Sequence, residues 1–172
     1  MSLKEGSITF WVALLMPVFL ILVAFLLDVS GAFVQQARLQ NMADSGADAA
    51  MTKLVDLMVE KAEAHEANPP PNTDPRQMLT DQDRQALLLD NRVSDQARAY
   101  VEKNRQAYQL SLTSVTLRYP VTAVDCSNSA RQNAELRLTL STSYTYLLGQ
   151  LLNASSGKRV EATARQFIRL CP

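Results

Sequence analysis

Side chains suited to chemistry are few and dispersed. His65 is the single histidine and stands among Glu60, Glu63 and Glu66. No second histidine or cysteine lies at the short spacing a metal site needs, so His65 is expected on a solvated helix surface. Cys126 and Cys171 form no C-x-x-C pair, which leaves thiol redox catalysis without support. Asp81, Asp83 and Asp90 read as helix-start and surface charges rather than general acids. Asp28–Val29–Ser30–Gly31–Ala32 opens like a D-x-S-x-S metal loop, but Ala32 replaces the second serine. Asn153–Ala154–Ser155 has the form of a glycosylation acceptor, a tripeptide that often arises by chance. The five glycines are scattered, so no phosphate-cradling loop is present. The expectation is a non-enzymatic chain: no catalytic residue, no metal and no cofactor.

Charge narrows the partners. Lysine plus arginine equals aspartate plus glutamate at 17 each in 172 residues. Nucleic-acid binding needs a clustered basic excess, and none is present.

The element that organises the rest is the apolar run from Ile8 to Leu27, bounded by Lys4–Glu5 and Asp28. About twenty helical residues at 1.5 Å each cross a hydrocarbon core of roughly 30 Å. Two alternatives compete with a membrane span. A buried core helix is usually shorter or carries polar residues. A cleaved secretory signal has an apolar region of about 7–15 residues, a basic start and a small-residue cleavage site. Pro17 interrupts the backbone donors of this run and is expected to kink it. Lys4 on the short side favours a cytoplasmic N-terminus, and two cysteines in the C-terminal third suit an oxidising space beyond the membrane. The chain therefore divides into residues 1–7 as cytoplasmic N-terminus, 8–27 as transmembrane helix, 28–68 as juxtamembrane amphipathic helix, 69–79 as Pro-rich linker and 80–172 as periplasmic α+β domain.

Beyond Asp28 the helical pattern continues. Leu39, Met42, Ala43, Gly46, Ala50, Leu54 and Leu57 recur at three- and four-residue steps, with the stem of Lys61 extending the stripe. Ala43, Gly46, Ala47 and Ala50 make its first half small, which lets another element approach closely. That element is either a partner helix or the chain's own core. Span and stripe are expected to form one long helix to about Asn68, ended by Pro69–Pro70–Pro71. Thr80 with Asp83 resembles a helix start. Leu88, Leu89, Val93, Ala97, Tyr100, Val101 and Tyr108 then give an apolar face, for one helix or for two with Ser94–Asp95 as a cap.

From Leu112 the period becomes two. Val115, Leu117, Tyr119 and Val121 form one buried row, Leu136, Leu138, Leu140, Thr142 and Tyr144 the second, and Val160, Ala162, Ala164 and Ile168 the third. Pro120 places the first strand at an edge or breaks it. The fold class is thus α+β: a long N-terminal helix, further helix, then a three-stranded antiparallel sheet. In such a meander Cys126, after the first strand, and Cys171, at the end of the third, meet at one sheet edge, so a Cys126–Cys171 disulfide is expected.

Gly6, Ala13–Leu14, Pro17 and Asp28, then Leu39–Gln40–Asn41, Ala43–Asp44, Ala47 and Ala49–Ala50, resemble the N-terminal segment of TadE/TadG-like proteins of the tight-adherence (Tad/Flp) pilus systems. The resemblance covers about the first fifty residues. It implies a single-pass protein of the bacterial inner membrane with a periplasmic domain, working among other pilus assembly or pilin subunits by helix packing, as a homo- or hetero-oligomer through its N-terminal helix. It resembles short members that keep only the anchor and a compact domain. An alternative within the family is a minor pseudopilin cut between Gly6 and Ser7 and carried into the filament at the cell surface. Trp11 stands at the fifth position after that cut, where this type carries glutamate. A membrane-tethered adhesin or ligand-binding module is the reading from a different class.

Overall fold

The computed structural model describes residues 3–68, 79–151 and 157–171. The Pro-rich linker, apart from Leu79, and the Asn153–Ala154–Ser155 tripeptide lie outside the described residues. The chain is α+β, with a long helix, further helices and a three-stranded antiparallel sheet. Helix α1 spans Leu3–Ala67 and passes through Pro17 with its helical assignment intact. Pro17 has no N–H to offer the carbonyl of Ala13. Helices α2 (Asp81–Leu88) and α3 (Asn91–Tyr108) follow, then β1 (Leu112–Arg118), β2 (Asn133–Tyr144), the short α4 (Leu147–Leu151) and β3 (Lys158–Arg169). The strand order is β1-β2-β3. The chain divides into two compact units: residues 1–37 with 143–160, and residues 38–142 with 161–172.

The larger unit holds the core. Leu39, Met42, Ala43, Ala47, Ala50, Leu54 and Leu57 of α1 are all buried, as the three-and-four spacing requires. Val93, Ala97 and Val101 of α3 are buried at the same spacing, and Ala134, Leu136, Leu138 and Leu140 of β2 at a spacing of two. At Gly46 these elements approach closely. A Cβ there would lie 2.7 Å from a methyl of Leu138 and 2.9 Å from a methyl of Val101. The small-residue stretch Ala43, Gly46, Ala47 and Ala50 is therefore filled by this chain's own fold.

The second helical region is two helices. Asp90, not Ser94, caps α3 by accepting the Arg92 amide at 2.9 Å, while the Ser94 hydroxyl turns back to the Asn91 carbonyl inside the helix. Leu89, expected on the buried face, is instead exposed, because α2 ends at Leu88 and Leu89 is its C-cap. Tyr100 is also more exposed than its position in the pattern suggested.

β1 pairs with β2 from Leu112↔Thr142 to Arg118↔Arg137, with a register shift between Leu112 and Ser114. Val115 sits opposite the buried Leu140, so it has the expected parity, yet it is exposed. Directly paired residues share a face, so the reason is cover rather than direction: β1 is an edge strand. β1 ends at Arg118, ahead of the cis Tyr119–Pro120 bond. Leu88, Ala134 and Leu170 close this end of the unit, with Met58, Tyr119, Val124 and Ile168 packed against them.

Candidate functional site: an exposed apolar helix and its aspartate collar

Fourteen large apolar side chains of α1 between Phe10 and Leu27 are each 52–64% exposed. They surround the helix on all sides, so no stripe faces a core. Among the described residues this is the one helix long and apolar enough to cross a membrane. Phe10 and Trp11 meet edge to face near its start, with ring centroids 6.3 Å apart. Pro17 lies in the middle of the segment, and Gly6 and Ser7 belong to the first turns of α1.

The segment ends at Asp28, which the smaller unit puts to structural use. Asp28 is 4% exposed, although it directly follows the exposed Leu27. Its two carboxylate oxygens accept the backbone amides of Leu147 at 2.6 Å and Leu148 at 2.9 Å. These are amides of the first turn of α4, which have no partner inside that helix. A carboxylate there offsets both open donors and the positive end of the helix dipole. The Tyr144 hydroxyl donates to the Asp28 backbone carbonyl at 3.2 Å, and its ring meets Tyr146 edge to face at 5.0 Å. Desolvation, then the Asp28 carboxylate and Tyr146, hold the Tyr144 hydroxyl above its usual pKa, so it stays a neutral donor. Gly31, one turn after Asp28, makes room for this contact, since a Cβ there would overlap the Tyr144 hydroxyl and lie 3.2 Å from its ring.

His65, Asp83, Asp90 and the two cysteines lie in the larger unit and serve its structure. Cys126 and Cys171 form a disulfide with Cα atoms 5.4 Å apart, as the meander implied. His65 is not on a free helix surface. Its Nε2 lies 3.2 Å from Asp83 Oδ2, beside Lys61 Nζ at 4.0 Å from the other oxygen. Asp83 closes a capping box with Thr80, accepting the Thr80 amide at 3.0 Å and its hydroxyl. Burial works to raise the Asp83 pKa, but the two Thr80 hydrogen bonds with His65 and Lys61 outweigh it and hold the carboxyl below its usual range. Among the described residues no three His, Cys, Asp or Glu side chains gather as metal ligands.

Sequence reasoning found the apolar segment but missed the collar. Asp28 and Leu147 lie 119 residues apart, and no periodicity connects them. The one local signal was an acidic residue directly after the apolar run.

A family model described as putative Flp pilus-assembly TadE/G-like matches residues 6–53. No curated protein and no solved structure matches the chain. The matched stretch contains the whole exposed apolar segment, the Asp28–Gly31 collar and the small residues through Ala50. Over residues 6–53 the chain is similar to TadE/G-like proteins of Flp pilus assembly.

Proposed function

We propose that the chain is a single-pass, membrane-anchored component of a Tad/Flp-type pilus or secretion assembly. The N-terminus lies in the cytoplasm, residues 8–27 cross the membrane, and the chain beyond Leu27 lies in the periplasm. It has no catalysis of its own and acts through contacts with other assembly or pilin subunits. The observation that carries this reading is the coincidence of the family match with the exposed apolar segment. Each large apolar side chain left in water forgoes roughly 1.5–3 kcal/mol. At 52–64% exposure fourteen of them forgo roughly 11–27 kcal/mol, as much as or more than the roughly 5–15 kcal/mol that a domain has in hand. Lipid removes that cost without a protein partner. Partner helices within the membrane meet the segment from Phe10 to Leu27, since Ala43, Gly46, Ala47 and Ala50 are already covered.

The test is a pull-down of tagged full-length protein from detergent-solubilised membranes, with its N-terminus read by intact mass. Co-purification of secretion-system membrane components with an uncut N-terminus is the expected result. A mature chain beginning at Ser7, recovered from sheared filaments, would replace the anchor by the pseudopilin.

A further inference from the structure

We propose that α4 and the strand ends beside it form a second membrane contact, lying in the headgroup layer of the leaflet from which α1 emerges and selecting anionic lipid. The inference rests on the anchored reading of α1 and adds a lipid-facing surface to it.

Continuity places the surface. Asp28 is the first residue after the apolar run, so at 1.5 Å per residue it stands at the hydrocarbon boundary about 26 Å from Trp11. The amides of Leu147 and Leu148 are bonded to its carboxylate, which holds the first turn of α4 at that same depth. Leu147 is half exposed there, and the Tyr144–Tyr146 pair lies beside it. Tyrosine and tryptophan favour this layer, with an apolar ring and a polar tip, and Trp11 marks the opposite end of the run.

Charge points to the lipid class. Beyond the apolar run the smaller unit contains one acid, Asp28, which is buried and bonded to backbone amides. Its bases are Lys158 and Arg159, both exposed. Gly157 lies against the Tyr144 carbonyl, so this basic pair starts β3 at the strand end that carries the collar. An apolar turn beside two tyrosines and two cations, with its acid neutralised by backbone donors, matches an anionic membrane surface.

The test uses the full-length protein with its native disulfide, reconstituted in phosphatidylcholine vesicles with or without phosphatidylglycerol. Nitroxide labels are placed singly at Phe19→Cys, Leu147→Cys and Gln150→Cys. Collision with oxygen and with a water-soluble nickel reagent reports the depth of each. Phe19 is expected deep in the hydrocarbon, with Leu147 and Gln150 about 5–10 Å into the interface. The last two should move deeper when phosphatidylglycerol is added, and Lys158→Gln with Arg159→Gln should abolish that response. Aqueous readings at both α4 labels with Phe19 deep overturn this inference and leave the anchor standing. An aqueous reading at Phe19 overturns both. Interfacial readings indifferent to phosphatidylglycerol overturn the anionic selectivity.

Discussion

Replacing Asp28 by alanine removes the acceptor of two backbone amides while leaving α1 a better helix former at that position. Leu147 and Leu148 donate to separate oxygens, at 2.6 Å and 2.9 Å, so neither keeps an acceptor on the alanine side chain. A hydrogen bond to a charged group contributes about 1.5–3 kcal/mol, so the pair contributes at least about 3 kcal/mol to keeping α4 closed. At roughly 1.4 kcal/mol per factor of ten, both amides should exchange hydrogen about a hundredfold faster in Asp28→Ala. Asp28→Asn keeps one side-chain oxygen and is expected to cost about tenfold. The assay is amide hydrogen exchange on full-length protein in lipid nanodiscs, with the buried Leu136 and Leu138 of β2 as an internal reference that stays unchanged. Equal protection of Leu147 and Leu148 in wild type and Asp28→Ala would refute the collar.

Three further outcomes follow from the larger unit. Gly46→Ala gains roughly 1 kcal/mol of helix propensity but forces methyls of Leu138 and Val101 aside, an overpacking cost of about 1–3 kcal/mol. The net expectation is a loss of about 1 kcal/mol by denaturant titration, whereas Gly46→Leu should unfold the unit rather than merely release a partner. The Cys126–Cys171 bond closes a loop across 45 residues, so removing both sulfurs by Cys→Ser should cost about 4 kcal/mol in the chain-entropy model and about 15 °C in Tm. Because the Asp83 pKa is lowered by folding, its contribution to stability is complete above the ordinary carboxylate value of 3.8. It is lost as pH falls through the lower folded value. Asp83→Asn should flatten that part of the stability–pH curve, and an unchanged acid limb would contradict the cluster.

What could be read from the sequence was what repeats. The stripe from Leu39 to Leu57 and the row from Leu136 to Leu140 follow local periods, and both proved buried. The end of the first strand by Pro120 and the cysteine pairing followed from turn chemistry and strand order, whereas the helix break falls at Leu88–Asp90 and not at Ser94–Asp95. What escaped depends on contacts between distant segments. The α4 amides give Asp28 its role, and only the folded chain brings them to it. His65 looked solvated on its own helix, and it is the N-terminus of α2 that supplies Asp83. The small stretch around Gly46 fitted a partner or the chain's own core equally well, because close approach requires the same residues in either case.

The anchor is tested most directly by washing membranes that contain the native protein with alkaline carbonate, without detergent. Full-length chain retained in the membrane pellet, and released only by detergent, is the result expected of a helix held in lipid from Ile8 to Leu27. Full-length chain in the clear aqueous wash would contradict it.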